Sequence, residues 1–258
     1  MTARGWYALT PLAAIAPGTE HRFRLDGRRY RLQRHRSGRL QVRERVMPLR
    51  CHSGMVFCWP TARAPDFELP DLDLAGWPPM SFEYRDVRTR PEQIQRDLVD
   101  LGHFETVHRY ANVSYAERPK FQDSQLRVAV DFDWDTGLAG RGVRAHFTSE
   151  AHGLGYQLTE VRSLRDRYHT RHLVMPTPLD ALTTRVHLGV SARVHGRLGR
   201  GLLGHLMAPL ASALIAVAQR RDIARDAHFW AGQSAQESTA GRYEQRYRDW
   251  ARHFSETP

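Results

Sequence analysis

The stretch Asp100-Leu101-Gly102-His103-Phe104-Glu105-Thr106-Val107-His108 brings two carboxylates and two imidazoles close together in the chain. Imidazole and carboxylate groups suit a mononuclear iron held on one face by two His and one Asp or Glu, with the other positions open. The stretch therefore predicts a metal site whose third ligand can lie elsewhere. The alternative is chance, because a chain with 14 histidines will sometimes place two of them five residues apart.

The spacing of the two histidines indicates how the chain must fold around an ion. At about 100° per helical residue, His103 and His108 point roughly 140° apart, so a regular helix cannot aim both at one ion. We therefore expect the helix to loosen or end between them. Asp100 and His103 form an i, i+3 pair on one face, so the Asp100 carboxylate could hydrogen-bond the far ring nitrogen of His103, directly or across subunits. Glu105 is expected to be a solvated helix residue.

The composition is that of a globular chain that can bury a substantial core, with 258 residues of which 41% are hydrophobic. The net charge is +10, and Lys120 is the only lysine among 38 basic residues. This arginine bias is typical of GC-rich coding as much as of a binding surface, and without a nucleic-acid-binding motif it predicts no nucleic-acid partner. Only Cys51 and Cys58 are present and the N-terminus lacks a signal-peptide pattern, which favours a cytoplasmic protein.

One uncharged stretch, Gly201 to Ala218, approaches the length of about 20 residues that a membrane-spanning helix needs. It contains His205 and Pro209 and runs directly into Arg220-Arg221-Asp222. We therefore expect a buried or ligand-lining helix and no transmembrane span. A hydrophobic face that touches lipid to collect an apolar substrate is the lesser alternative.

The chain divides by pattern into a β domain over residues 1–60, a Pro-rich linker over 61–80 and a second domain over 81–258. From His21 to Cys58 apolar residues alternate with arginine, with turns at Asp26-Gly27 and Ser37-Gly38. This pattern predicts an antiparallel β-meander with one solvent-exposed face. Its arginines either form a solvated face or dock an acidic partner protein.

The second domain is predicted to be α+β. A strand over Ser81 to Val87 precedes a helix that begins at Pro91, and the last helix carries Tyr243, Tyr247, Trp250 and Phe254 on one face. A long helix is expected from about Leu202 to Phe229. The remaining strands form a curved antiparallel sheet that can enclose an apolar cavity; they are Leu126 to Trp134, Val143 to Glu150, Tyr156 to Ser163, Tyr168 to Met175 and Leu182 to Val194.

Besides Asp100-x-x-His103-x4-His108, three stretches stand in order along most of the chain. They are Gly54-Met55-Val56-Phe57-Cys58-Trp59 with Phe67-Glu68-Leu69-Pro70, then Met175-Pro176-Thr177-Pro178-Leu179-Asp180, then Asp226-Ala227-His228-Phe229-Trp230. Together they resemble Rieske-type non-haem iron oxygenases, in particular the branch of ketosteroid hydroxylases and cholesterol desaturases. The first stretch resembles the exit from the family's N-terminal domain, the second its Thr-Pro turn, and the third its Asp-x-x-Ile-Trp motif.

The resemblance implies a mononuclear Fe²⁺ held by His103, His108 and Asp226 in a catalytic domain of helix-grip fold. It also makes Asp100 the aspartate that, in the family, bridges an electron-donating cluster to the iron between neighbouring subunits. Asp222 lies one helical turn before Asp226 on the same face, so it is the rival third ligand.

The chain departs from the family in its N-terminal domain. Family members hold a [2Fe–2S] cluster with a Cys-x-His and a later Cys-x-x-His, and neither pattern occurs here. Cys51 and His52 are adjacent, so in a strand they point to opposite faces. We therefore expect a truncated Rieske-like β scaffold without its cluster.

Three functions follow from these residues. The first is an oxygenase-like enzyme for a bulky hydrophobic substrate, polycyclic molecules included, that takes electrons from a separate ferredoxin-type donor docked on the Arg-rich sheet. The second is a non-redox metal-dependent lyase, cyclase or isomerase. The third is a hydrophobic-ligand-binding or accessory subunit, which a buried polar triad disfavours. Homo-oligomerisation is left open.

Overall fold

Alternation of apolar and charged residues in the N-terminal part produces two small antiparallel sheets. The computed structural model describes residues 4–134, 143–163, 168–194 and 242–255, with residues 210, 213–214, 217, 225–226 and 228–230 between them. The first sheet has the order β1-β6-β5 and the second the order β2-β3-β4. Their strands are β1 (Tyr7–Pro11), β2 (Glu20–Leu25), β3 (Arg28–Arg34), β4 (Leu40–Val42), β5 (Leu49–His52) and β6 (Met55–Cys58).

The second small sheet confirms the predicted meander for β2 to β4, whereas its predicted continuation to Cys58 is wrong, because β5 and β6 pair with β1 in the first sheet. Asp26 and Gly27 both have positive φ, at 49° and 77°, which a two-residue hairpin turn of the Asp-Gly type requires. The turn is fixed from outside, because its two amides donate to the carbonyls of Pro178 and Leu179 at 2.9 and 2.6 Å. The hairpin therefore rests on the end of a strand far along the chain.

The main sheet has seven antiparallel strands in the order β7-β13-β12-β11-β10-β9-β8. The predicted strands are confirmed, some of them extended by a few residues and the last shortened to begin at Thr184, whereas β8 was not predicted. Its pairing with β9 shifts register at three places, so β8 is an irregular edge. The strands are β7 (Ser81–Val87), β8 (Ala111–Gln122), β9 (Gln125–Trp134), β10 (Val143–His152), β11 (Tyr156–Ser163), β12 (Tyr168–Pro178) and β13 (Thr184–Val194).

Short helices cover one face of this sheet. They are α1 (Pro91–Arg96), a 3₁₀ turn (Asp97–Val99), α2 (Leu101–Thr106) and α3 (Glu244–Ser255). The helix predicted from Pro91 is interrupted at Asp100, whose φ of −110° and ψ of 96° are extended. The predicted last helix is confirmed as α3, with its aromatic face buried against β9 and β10. Together these elements confirm the α+β class.

Much of the helix predicted over Leu202 to Phe229, including most of Gly201 to Ala218, lies outside the described residues. The described residues within it are helical. No helix in the described ranges is both long enough and apolar enough to cross a membrane.

Residues 60–80 contain no helix or strand, as their prolines predicted. They are nevertheless packed, because Leu69 is buried and the Trp6 indole Nε1 donates to the Phe67 carbonyl at 2.9 Å. A shared apolar cluster joins β1 and β6 to Tyr156 and Leu173 of the main sheet. The division into domains at residues 60 and 80 stays a prediction.

Candidate metal centre

Three side chains meet between α2 and the helical residues 225–226. The Nε2 atoms of His103 and His108 lie 3.1 Å apart, and Asp226 Oδ1 lies 3.2 and 3.4 Å from them. His103 is 3% exposed and Asp226 is 8% exposed, so the atoms meet inside the protein. Within the described residues, this is the one group of His, Cys, Asp or Glu whose ligand atoms converge closely enough to hold a metal ion.

The dimensions of this triangle fit a metal ion. Ligand atoms about 2.1 Å from one ion lie about 3.0 Å apart at right angles and about 3.4 Å apart at tetrahedral angles. The three observed distances span that range. Asp226 Oδ1 is buried and has no hydrogen-bond partner in the described part of the chain, which is costly unless a cation or proton satisfies it.

The local backbone explains how two histidines five residues apart can face one point. Helix α2 ends at Thr106, and His108 follows in a bend before Arg109, whose φ is +60°. The amide of Tyr110 then donates to the Phe104 carbonyl at 3.0 Å and closes the turn. The expected end of the helix between the two histidines is confirmed.

The carboxylate nearest the far ring nitrogen of His103 belongs to Asp97. Asp97 Oδ2 lies 3.7 Å from His103 Nδ1 and accepts the Trp230 Nε1–H at 2.7 Å. Asp100 instead accepts the backbone amide of His103 at 3.3 Å and caps the N-terminus of α2. The predicted direct bond from Asp100 to the ring was therefore wrong within this chain, because the extended Asp100 backbone turns that side chain towards the helix end. Its role between subunits stays a prediction.

Asp97 also connects the two segments that carry the triad. Trp230 lies one helical turn after Asp226, so the indole that Asp97 holds belongs to the segment that supplies the carboxylate. The sequence motif contained Trp230, but no pattern singled out Asp97. A straight helix would have turned Asp97 about 120° away from His103, at about 100° per residue.

Burial and charge give the two histidines different protonation behaviour. Burial lowers the pKa of His108 to about 4, so this imidazole is neutral at pH 7. Burial alone would also lower the pKa of His103, but the Asp226 carboxylate, whose Oδ1 lies 3.2 Å from His103 Nε2, and the charge of Asp97 raise it above its ordinary value. Burial raises the pKa of Asp97 to about 6. A proton on His103 therefore competes with any cation for this site.

A cavity of about 100 Å³ adjoins the triad. Its other walls are mostly apolar, with Asp97 and Gln157 as the polar exceptions; they are Ile94, Asp97, Leu98, Phe104, Gln157, Val174 and Trp230. Typical ligand sites hold about 300–1,000 Å³, so the described residues enclose room for small molecules only. The rival ligand Asp222 lies outside the described residues.

The cysteines lie apart from the triad. Cys51 is exposed, whereas His52 beside it is buried and its Nε2 lies 3.1 Å from the Tyr156 hydroxyl. Cys58 is buried, and burial raises the pKa of its thiol to about 12. The opposite orientation expected for Cys51 and His52 is confirmed.

With this geometry established, comparison with known proteins assigns the family. Residues 56–254 match the family model described as "3-Ketosteroid 9alpha-hydroxylase C-terminal domain". The chain belongs to this family. The 3-ketosteroid 9α-hydroxylase C-terminal domain family is a Rieske oxygenase catalytic-domain family, so the resemblance predicted from the sequence is confirmed. No curated protein matches the sequence.

Solved structures show the same fold. Dicamba monooxygenase bound to dicamba is 11% identical with a TM-score of 0.67, over 98% of this chain and 97% of that one. The Pseudomonas putida CBB5 NdmA QL mutant with theobromine is 11% identical with a TM-score of 0.64, over 96% of this chain and 89% of that one. One dicamba monooxygenase structure contains non-haem iron and dicamba. Identities this low establish a shared fold and leave the substrate open.

Proposed function

We propose that this protein is a mononuclear non-haem iron enzyme that oxidises a hydrophobic small molecule with electrons from a separate donor. The observation that carries the proposal is the triangle of His103, His108 and Asp226, whose sides of 3.1 to 3.4 Å suit one ion. Two imidazoles and one carboxylate on one face, with open positions opposite, are typical of ferrous oxygenases. Family membership supports the same chemistry.

Each side chain has a role in holding the iron. His108 is neutral at pH 7 and offers its Nε2 lone pair, while Asp226 supplies one negative charge. Asp97 lies on the Nδ1 side of His103, where it favours the tautomer that leaves Nε2 free. Ferrous iron in this position would supply oxygen activation. Apolar walls including Leu98, Phe104 and Val174 would exclude bulk water from the reacting atoms.

The apolar walls favour a hydrophobic substrate, and the family name together with the ring compounds in the related structures favours a ring system. The cavity enclosed by the described residues is smaller than a fused-ring molecule, so substrates of different size should be compared. Gln157 is the polar wall residue outside the triad and Asp97, and it offers an amide to a substrate oxygen or nitrogen. A cytoplasmic location is part of this proposal, and the oligomeric state is left open.

Metal content provides the direct test. Protein reconstituted anaerobically with ferrous iron should bind about one ion per chain, the stoichiometry of a mononuclear site. His103→Ala, His108→Ala and Asp226→Ala should each lose the ion. His253→Ala is the matched control, because His253 is an exposed histidine on α3 that bonds only a backbone carbonyl among the described residues. Full iron content in all three triad variants would refute the site. If Asp222→Ala lost the iron and Asp226→Ala kept it, Asp222 would be the carboxylate ligand instead of Asp226.

A non-redox reaction is the second candidate, because the sequence lacks the cysteine and histidine pattern that holds an internal electron-donating cluster. In this case the ion would polarise a substrate oxygen as a Lewis acid. Turnover of steroid and single-ring substrates should be measured with and without oxygen and a reduced ferredoxin. Incorporation of labelled oxygen would support the oxygenase. Equal product formation without oxygen and without reductant would exclude it and support the lyase or isomerase.

A further inference from the structure

A second cleft lies away from the triad, between the β2–β3 hairpin and the edge of the main sheet. It encloses about 750 Å³ and has an unusual wall of five arginines, Arg22, Arg24, Arg29, Arg31 and Arg185. Glu44 and Asp86 are the acidic residues of the wall. This volume falls within the range of small-molecule binding sites.

The hairpin register concentrates the positive charge. In the antiparallel pairing, Arg22 lies directly opposite Arg31 and Arg24 lies directly opposite Arg29. All four are exposed, and they alternate with Phe23 and Tyr30, which are mostly buried, stack at 5.3 Å and also line the cleft. Like charges directly opposite each other in a sheet are destabilising. An anion between them would relieve that repulsion.

Carboxylates hold three of the five arginines in place. Arg31 Nε contacts Glu44 Oε1 at 2.5 Å, and Arg24 Nη2 contacts Asp180 Oδ2 at 2.6 Å. Arg185 binds Asp86 with two parallel bonds of 2.7 and 2.8 Å. These surface pairs orient three of the guanidiniums around the cleft.

The other two arginines have no such partner. Neither Arg22 nor Arg29 makes an ion pair or side-chain hydrogen bond with any residue that the structure describes. They stand diagonally across the two strands, about 7–8 Å apart at the backbone. Each guanidinium can bind one phosphate or carboxylate with two parallel bonds, so the pair suits a ligand with two anionic groups.

We propose that this cleft binds a small phosphorylated organic molecule that carries a diphosphate or two phosphate groups. Five guanidiniums face the carboxylates of Glu44, Asp86 and Asp180, which leaves net positive charge for the ligand. The cleft is larger than a diphosphate, and Leu179 adds an apolar wall for an organic body. The proposal is independent of the iron reaction.

The cleft and the triad cavity contact the same strand at different points. The hairpin turn bonds Pro178 and Leu179, whereas Val174 of the same strand borders the triad cavity. These points lie about 13 Å apart along the strand, at about 3.3 Å per residue. The unpaired guanidiniums favour a small anion as the occupant, and an acidic electron carrier is the alternative that the titration below tests.

Calorimetric titration of the full chain at 150 mM salt tests the proposal, with inorganic pyrophosphate and ADP as probes. We expect saturable one-to-one binding, with ADP at least as tight as pyrophosphate. Arg22→Gln and Arg29→Gln should each weaken binding about 10-fold or more, the loss typical of a hydrogen bond to a charged group. Arg28→Gln is the matched control, because Arg28 is exposed on the same hairpin and lies outside the cleft wall. It should bind like the original chain.

Folding is checked separately by thermal unfolding. The two cleft variants should unfold at the same temperature as the original chain or slightly above it, since each removes a facing like charge. Pyrophosphate should raise the unfolding temperature of the original chain and of Arg28→Gln. If Arg28→Gln weakened binding as much as Arg22→Gln and Arg29→Gln do, the attraction would be non-specific and electrostatic, and the proposal would be overturned. Binding of a DNA oligonucleotide or an acidic ferredoxin without binding of either probe would also overturn it.

Discussion

Asp97→Asn is expected to weaken metal binding while it stabilises the metal-free protein. The substitution keeps an oxygen that can accept the Trp230 indole N–H and removes the negative charge 3.7 Å from His103 Nδ1. Loss of a carboxylate behind a ligand histidine typically lowers metal affinity about 10–100-fold. The triad itself is unchanged.

The expected gain in stability comes from the buried charge. Burial raises the pKa of Asp97 from 3.8 to about 6. The folded chain therefore loses stability as pH rises through this interval, and above it ionisation of Asp97 costs about 3 kcal/mol, at about 1.4 kcal/mol per pH unit. Asn carries no such charge, so metal-free Asp97→Asn protein should be about 1–3 kcal/mol more stable at pH 7.

Two measurements on one preparation test this reasoning. Urea unfolding of chelator-treated protein gives the free energy of unfolding, and competition with a chromophoric chelator gives metal affinity. Asp100→Asn is the matched control, because Asn is an equally good helix N-cap and this carboxylate does not contact the ring. Its stability and affinity should be nearly unchanged. Strong loss of affinity in Asp100→Asn with normal affinity in Asp97→Asn would refute the assignment.

Other parts of the molecule give sharper local tests. Gly155→Ala should cost at least about 3 kcal/mol in urea unfolding, because the new Cβ would lie 2.1 Å from the Trp6 carbonyl oxygen; normal stability would show that the backbone can move apart. Burial lowers the pKa of His187 from 6.5 to about 3. The stability that the neutral, buried His187 contributes to the folded chain is therefore complete above pH 6.5 and is lost as the pH falls towards 3. Unfolding at pH 4.5 should thus show a loss of about 2–3 kcal/mol that His187→Leu lacks, and an identical pH dependence in both proteins would contradict it. A thiol reagent should modify exposed Cys51 in the folded chain and reach buried Cys58 only in urea; immediate reaction of both would contradict that burial.

Most strands could be predicted because burial on one face leaves a period of two in the sequence. The β2–β3–β4 meander and strands β9 and β10 follow such alternation, and Asp26-Gly27 marks the hairpin of the meander. Strand β8 could not be found in this way. Most of its residues are exposed, and Glu117-Arg118-Pro119-Lys120 has neither alternation nor strand composition.

The triad could be proposed from the family resemblance and the histidine spacing, but its supporting carboxylate could not. Sequence spacing assigns faces on the assumption of a continuous helix. The extended backbone at Asp100 breaks that assumption and brings Asp97 to the ring of His103 instead. Asp100 is a preferred N-cap residue, but an aspartate alone does not show that the preceding helix has ended.

The irregular edge strand β8 has a consequence for behaviour at high concentration. Three shifts of register, a proline and a lysine lie along one border of the main sheet. The backbone amides and carbonyls of an incoming strand from another molecule would not align with those of β8, and a charged lysine side chain would also oppose the pairing. Growth of fibrils by strand addition is therefore disfavoured at this border of the sheet.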